Sequence, residues 1–174
     1  MGTDPDGDYV EYVSARLPSL QHSAYLLCGG DRHTADDIVQ ATIEALYVHW
    51  NRARRADNLD AYVQRMLARK FVDSKRRGWA ARVRLMWPAP EPAPPPDDPD
   101  RADDRDAVLH ALRRLPPGQR AVLVLRYLCD QSIEDTARAL GCSTGTVKSQ
   151  TARALAAVRP LLEPALTRDL GGKS

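Results

Sequence analysis

The stretch Ser132-Ile133-Glu134-Asp135-Thr136-Ala137-Arg138-Ala139-Leu140-Gly141-Cys142-Ser143-Thr144-Gly145-Thr146-Val147-Lys148-Ser149 reads as two short helices about a glycine turn. Ser132 stands at an N-cap position with an acid three residues on, and Ile133, Ala137 and Leu140 follow at helical spacing until Gly141 breaks the run. Ser143 then caps a second helix, whose inner face carries Val147, Ala154, Leu155 and Val158. Helix, glycine-containing turn and helix, from Ser132 to Arg159, form the helix-turn-helix plan, in which the second helix lies in the major groove of DNA.

A helix that meets base edges needs small or polar side chains at its leading end. Ser143, Thr144, Gly145, Thr146, Lys148, Ser149, Gln150, Thr151 and Arg153 meet that need. Lys148 and Arg153 supply charge for phosphate or guanine, and Gln150 can form paired hydrogen bonds with adenine. The first backbone amides of the helix are suited to a phosphate. A plain helical hairpin is the blander reading, since Ala137 and Gly141 also suit close packing, but it leaves the matched caps and the polar leading face without a purpose.

Working upstream, Val108, Leu109, Leu112 and Leu115, the joint Pro116-Pro117-Gly118, and Val122, Leu123, Leu125 and Leu128 predict two further helices. Before them, the segment from Trp87 to Pro99 includes Pro94, Pro95 and Pro96 in a row, which removes amide donors and blocks helix. It divides the chain into two helical halves. In the first, Tyr9, Val10, Tyr12, Val13, Leu17, Leu20, Ala24, Tyr25 and Leu27 recur at helical intervals up to Gly29-Gly30, with a break expected near Pro18. Thr34, with Asp37 three residues on, is the expected cap of the next helix, whose apolar stripe is Val39, Ile43, Leu46 and Trp50. Residues 51–58 lack periodicity and read as a loop, with Asp57 or Asn58 capping a long helix striped by Tyr62, Val63, Met66, Leu67 and Phe71.

The 174 residues are 43% hydrophobic and 28% charged, with a single Phe, a composition that favours an all-α protein. A net charge of +2 conceals strong segregation. Arg52, Arg54, Arg55, Arg65, Arg69, Lys70, Lys75, Arg76 and Arg77 crowd one stretch, whereas Asp97, Asp98, Asp100, Asp103 and Asp104 dominate the connector. Such local fields, rather than totals, attract nucleic acid. Cys28, Cys129 and Cys142 are scattered, with no disulfide or zinc spacing, and read as free thiols of the cytoplasm. A metal site built on His22, Cys28, His33, His49, Cys129 and Cys142 fits no compact motif, and no nucleophile stands beside a matching base and acid. The expectations are therefore no metal, no cofactor and no catalytic residue. No apolar run reaches the roughly 20 residues of a membrane span.

The runs Leu115-Pro116-Pro117-Gly118-Gln119-Arg120, Leu125-Arg126-Tyr127-Leu128, Ser132 to Ala137 and Leu140 to Ser149 closely resemble region four of bacterial sigma factors of the extracytoplasmic-function group. Ala35-Asp36-Asp37-Ile38-Val39-Gln40 and Ala61-Tyr62-Val63 through Arg76-Arg77 are similar to the two long helices of region two. The resemblance implies two small helical domains, residues 1–80 (region two) and 106–170 (region four), joined by a flexible, Pro-rich acidic linker at 81–105. It also implies a polymerase subunit that selects promoters and is not an enzyme. Asp36, Asp37, Gln40 and Glu44 would meet the clamp helices of the largest core RNA polymerase subunit, although as acids near a helix start they also suit dipole capping. Asn58, Arg65, Arg69, Lys70, Asp73, Lys75, Arg76 and Arg77 would capture and hold the melted minus-ten element. The nine residues of the recognition helix would read the minus-thirty-five element, and the inner groove of region four would take the flap tip. An anti-sigma factor is the further partner implied. Arg69 stands where many relatives carry Asn, and Gln150 and Ala152 where relatives often carry Arg and a bulkier apolar residue, so both promoter preferences are open. The resemblance covers none of the regions special to housekeeping sigma factors, and with only the short tail from Leu170 to Ser174 no appended sensory domain is expected. A stand-alone helix-turn-helix regulator, with the first half as a ligand or dimerisation domain, is the alternative.

Overall fold

The structure, a computed structural model, describes residues 5–83 and 104–171, with side chains described over 6–74 and 107–163. Among these residues the fold is all α-helical. Helix α1 spans Pro5–Leu27, α2 Arg32–Val48, α3 Trp50–Ala53, α4 Leu59–Val83, α5 Asp104–Arg113, α6 Pro117–Leu123, α7 Ile133–Leu140 and α8 Thr144–Gly171. A π-helical turn, Val124–Leu128, continues α6.

Several expectations are corrected at helix ends. α1 does not break at Pro18. Proline removes one amide donor, but Pro18 is exposed, and the Ser19 hydroxyl bonds the Arg16 carbonyl at 2.8 Å, so the helix carries through. α2 begins before Thr34: Asp31 is its N-cap, accepting from the Thr34 amide at 3.1 Å and from the Thr34 hydroxyl at 2.6 Å. Thr34 is thus the residue capped. The loop expected over 51–58 contains the short helix α3, and Asn58, not Asp57, caps α4 through the Ala61 amide at 2.9 Å. The linker expected over 81–105 lies outside the described residues at 84–103, and its two ends, 81–83 and 104–105, are helical.

In the first half α1, α2 and α4 pack on one another. Ala35, Ile38, Val39, Thr42 and Leu46 form the buried face of α2, while Val63, Leu67, Ala68 and Phe71 form that of α4. Ile43, expected within the stripe, is half-buried. Thr42 tolerates full burial because its hydroxyl bonds the Ile38 carbonyl at 2.7 Å. Tyr9 and Tyr12 of α1 sit on Trp50, with ring centroids 5.5 and 5.7 Å away, and the Tyr9 hydroxyl bonds the Ile43 carbonyl at 2.7 Å. Asp60, at the start of α4, is held to α1 by the Tyr12 hydroxyl at 2.8 Å and by Arg16 at 2.7 Å.

In the second half α8 packs against α5, α6 and α7. A small cluster of Val122, Ala137 and Val147, flanked by Ile133, Leu140 and Cys142, fixes the angle between α7 and α8. The two halves are not separate cores. One cluster runs from Leu20 and Leu67 through Leu109 and Leu125 to Val158, because α4 packs on α7 and α1 on the π turn.

Candidate nucleic-acid interface

The helix-turn-helix is built as its sequence dictates. The Ser132 hydroxyl oxygen accepts from the Asp135 amide at 2.9 Å and its proton goes to the Asp135 carboxylate at 2.9 Å, which fixes the first turn of α7. Gly141 adopts φ +67° at the end of α7, a left-handed conformation that suits a residue without a side chain. Ser143 caps α8, accepting from the Thr146 amide at 3.1 Å.

These caps set which residues face outward. Ser143, Thr144, Gly145, Lys148, Ser149 and Arg153 are exposed, and Thr146 and Thr151 are half-buried. The Ser149 and Thr151 hydroxyls donate to the Thr146 and Val147 carbonyls of their own helix, which leaves their oxygens free to accept. Gln150 is the exception: at 5% exposure it lies on the inner face with Val147 and Ala154, so a base contact by its amide does not fit this conformation. Residues 147, 150 and 154 share one helical face by spacing, and Gln150 goes with its neighbours.

In the first half the expected minus-ten residues divide. Asn58, Arg69 and Asp73 are exposed, Arg65 and Lys70 are half-buried, and the side chains of Lys75, Arg76 and Arg77 lie outside the described residues. Arg65 and Arg69 line a cleft of about 350 Å³ together with Arg52, Tyr62, Met66 and, from α7, Asp135, Arg138 and Ala139. Four guanidinium groups thus face a single carboxylate. Asp135 answers Arg138 at 2.6 Å and Arg65 at 3.8 Å. Arg138 was not among the sequence candidates, because only the packing of α7 on α4 brings it to this basic stretch.

Asp36, Asp37, Gln40 and Glu44 are all exposed on α2, and the Gln40 amide donates to Glu44 at 2.9 Å. Tyr47 and Val48 continue that face as exposed apolar residues, 54% and 75% accessible, and mark a surface that a partner can cover. No group of three or more His, Cys, Asp or Glu side chains fit to hold a metal occurs among the described residues. Burial raises the Cys129 thiol to about 11 and also raises that of Cys142. Neither environment favours a thiolate.

A polar-faced helix-turn-helix beside an arginine-rich helical face is the geometry of a DNA-binding protein. The sigma-70 region 2 family model matches residues 12–81, and the sigma-70 region 4 model matches residues 105–158. The chain is 35% identical over 96% of its length, and 91% of the relative's, to the RNA polymerase sigma-E factor of Streptomyces coelicolor. It is 34% identical over 74% of its length, and 64% of the relative's, to the ECF RNA polymerase sigma factor SigM of Mycobacterium tuberculosis. Its fold matches that of the sigma factor RpoE from Bartonella quintana, solved in complex with the anti-sigma factor NepR, with a TM-score of 0.62, 26% identity and coverage of 90% of this chain and 97% of that one. CnrH, solved with the cytosolic domain of CnrY, shares the fold at a TM-score of 0.54 and 24% identity, over 90% of this chain and 88% of that one. The chain belongs to the extracytoplasmic-function branch of the sigma-70 family, and is a sigma factor that directs promoter-specific transcription initiation. The match of region 2 over the first half sets aside the stand-alone regulator, which has no use for that unit.

Proposed function

We propose a division of labour between two units, residues 1–80 and 106–170, joined through 81–105. In the second unit the exposed leading face of α8, from Ser143 to Lys148, Ser149 and Arg153, reads the minus-thirty-five duplex. Lys148 and Arg153 neutralise phosphates there, while Thr144, Gly145 and Thr146 let the backbone approach. In the first unit Asn58 and the α4 residues Arg65, Arg69, Lys70 and Asp73, continued by Lys75, Arg76 and Arg77, capture and hold the opened minus-ten strand. Unstacking a base costs a few kcal/mol, and the arginine-rich helix offsets that by binding the displaced strand. The observation that carries this reading is the pairing, in one chain, of a capped polar-faced helix-turn-helix with the Arg52, Arg65 and Arg69 cluster.

Asp36, Asp37, Gln40 and Glu44, with Tyr47 beside them, form the docking face for the clamp helices of the largest polymerase subunit. The exposed Tyr127 and Leu128 of the π turn suit the flap tip. An anti-sigma factor that covers these faces is the natural regulator, as the complex formed by the Bartonella quintana relative supports. The protein acts in the cytoplasm, beside the polymerase, and catalyses no reaction of its own. No described helix is long and apolar enough to cross a membrane.

The test is promoter melting by reconstituted polymerase. With core enzyme and this chain, permanganate footprinting detects unpaired thymines near the start site. Arg65→Ala and Arg69→Ala together weaken that signal while leaving duplex binding by the second unit in place. Loss of both signals in equal measure contradicts the division of labour.

A further inference from the structure

The arginine-lined cleft beside α4 carries more positive charge than packing requires. Tyr62, Arg65, Met66 and Arg69 recur at intervals of three and four residues, which places them on one face of α4, and that face borders the cleft. Arg138 of α7 and Arg52 of α3 reach the same space. A seam built for packing alone sets acids against such a row. Here α7 brings one acid, Asp135, and with it a fourth arginine.

That single acid does not satisfy the row. Asp135 pairs with Arg138 at 2.6 Å and stands 3.8 Å from Arg65, whereas Arg52 and Arg69 form no ion pair among the described residues. The half-buried Tyr62 makes no ring contact and no hydroxyl hydrogen bond among those residues either. Charges of one sign in a concave wall reinforce a common field, which draws in an anion able to answer several of them at once. Phosphate is such an anion, because a guanidinium gives it two parallel N–H···O bonds.

The dimensions narrow the ligand further. Arg65 and Arg69 are one helical turn apart, about 6 Å along the axis, so a second phosphate is needed to serve both together with Arg138. The cleft encloses about 350 Å³, at the lower end of the range for small-molecule sites. A lone phosphate leaves most of that volume empty. Tyr62 and Met66 supply the apolar part of the wall, and an aromatic face accepts a stacked base of any sequence.

We infer that the cleft is a binding site for a nucleoside polyphosphate, with its phosphates on Arg65, Arg69 and Arg138 and its base against Tyr62. Asp135 is the competitor already in place, and the incoming phosphate takes Arg65 from it. The site stands on the geometry of the cleft and goes beyond the proposed function. Because that function gives Arg65 and Arg69 to the opened minus-ten strand, ligand and strand exclude each other.

Isothermal titration calorimetry of the full chain with ATP and with GTP tests the site, in about 0.15 M salt so that distant surface charges are screened. At least one of the two nucleotides saturates at one site per chain, and tripolyphosphate binds more weakly. Arg69→Ala and Arg138→Ala, both at exposed positions, each lower the affinity for nucleotide and tripolyphosphate about tenfold. Asp135→Asn raises both affinities, an opposite sign that loss of folding does not produce. Tyr62→Leu lowers nucleotide affinity about tenfold and leaves that for tripolyphosphate unchanged. Arg159→Ala, exposed on α8 outside the cleft, changes neither. The inference is overturned if neither nucleotide saturates below about 1 mM, or if Arg159→Ala weakens binding as much as Arg69→Ala. Nucleotide binding indifferent to Tyr62→Leu overturns the nucleoside assignment. The titration contains neither DNA nor polymerase, so its failure leaves the proposed function standing, and a failure of promoter melting leaves the site standing.

Discussion

Arg120 and Leu27, 93 positions apart, are joined by a hydrogen bond from the Arg120 Nε–H to the Leu27 carbonyl at the C-terminal end of α1. The contact satisfies a carbonyl that the helix end leaves without an intrahelical partner. Burial lowers the pKa of Arg120, with the nearby Cys28 opposing that shift, but an arginine so perturbed is still charged at neutral pH.

Gly29→Ala should therefore cost more than Gly141→Ala. Both glycines have positive φ, +64° and +67°, and share the backbone penalty of about 1–2 kcal/mol. A Cβ at Gly141 meets nothing within 4 Å, whereas one at Gly29 displaces the Arg120 guanidinium. That side chain swings aside readily, but it gives up the Leu27 carbonyl, which adds about 1 kcal/mol or more. Urea unfolding of the two variants measures the difference. Equal costs would remove Arg120 from the account of how the halves dock.

Lys148→Ala and Arg153→Ala should each weaken duplex binding at all sequences and reduce the salt slope by about 1, as loss of a phosphate contact does. Gln150→Ala behaves differently. Its side chain is buried on the inner face of α8, so the substitution lowers the melting temperature and leaves the salt slope unchanged. Fluorescence anisotropy on promoter fragments across a salt series, beside thermal unfolding, separates the two effects. A Gln150→Ala variant of normal stability and altered base preference would place that side chain back at the DNA.

The pattern of success in reading the sequence has a physical basis. Ser132, Gly141 and Ser143 act within a few residues of themselves, so the helix-turn-helix was legible from its caps. Helix ends governed by the same rules went wrong where two signals competed: Asp31 and Thr34 are both fit to cap, and Pro18 is a breaker only if its missing donor matters. The docking of the halves left no local trace. Arg65 and Asp135 lie in different motifs, and the packing of α4 on α7 that unites them depends on faces whose partners a linear pattern does not name. For the same reason Gln150, polar by type, was expected at the DNA and is found inside.

Stability should fall in alkali through Cys129. Its thiol ionises at about 11 in the folded chain against an ordinary value of 9, chiefly because burial disfavours the thiolate. The folded pKa is the higher one, so the stabilisation is complete below about pH 9 and is lost as pH rises from there toward 11. The slope is at most about 1.4 kcal/mol per pH unit for a single group. Tyr9 and Tyr12, also raised, extend the decline at higher pH. Comparing denaturation midpoints of the unaltered chain and Cys129→Ala at pH 8 and pH 10.5 isolates the thiol. A difference between the two proteins that stays constant across that range would contradict the assignment.

Asn58→Ala and Ser132→Ala should each cost about 1 kcal/mol, the usual value of an N-cap, and lower the melting temperature by about 2–4 °C. Ser132 carries a further consequence, because its hydroxyl also orients Asp135, the partner of Arg65 and Arg138. Its loss should therefore cost somewhat more than that of Asn58, whose side chain bonds only the Ala61 amide of its own helix. Calorimetry of the two variants side by side checks the order.

The most direct test of the central claim is run-off transcription by core RNA polymerase on fragments of the source genome, with and without this chain, read by mapping RNA 5′ ends. The account predicts discrete start sites that appear only with the chain, share upstream and start-proximal sequence elements, and vanish with Lys148→Ala/Arg153→Ala or Arg65→Ala/Arg69→Ala. Start sites unaffected by the chain, together with its tight binding to a palindrome in the absence of polymerase, would contradict it.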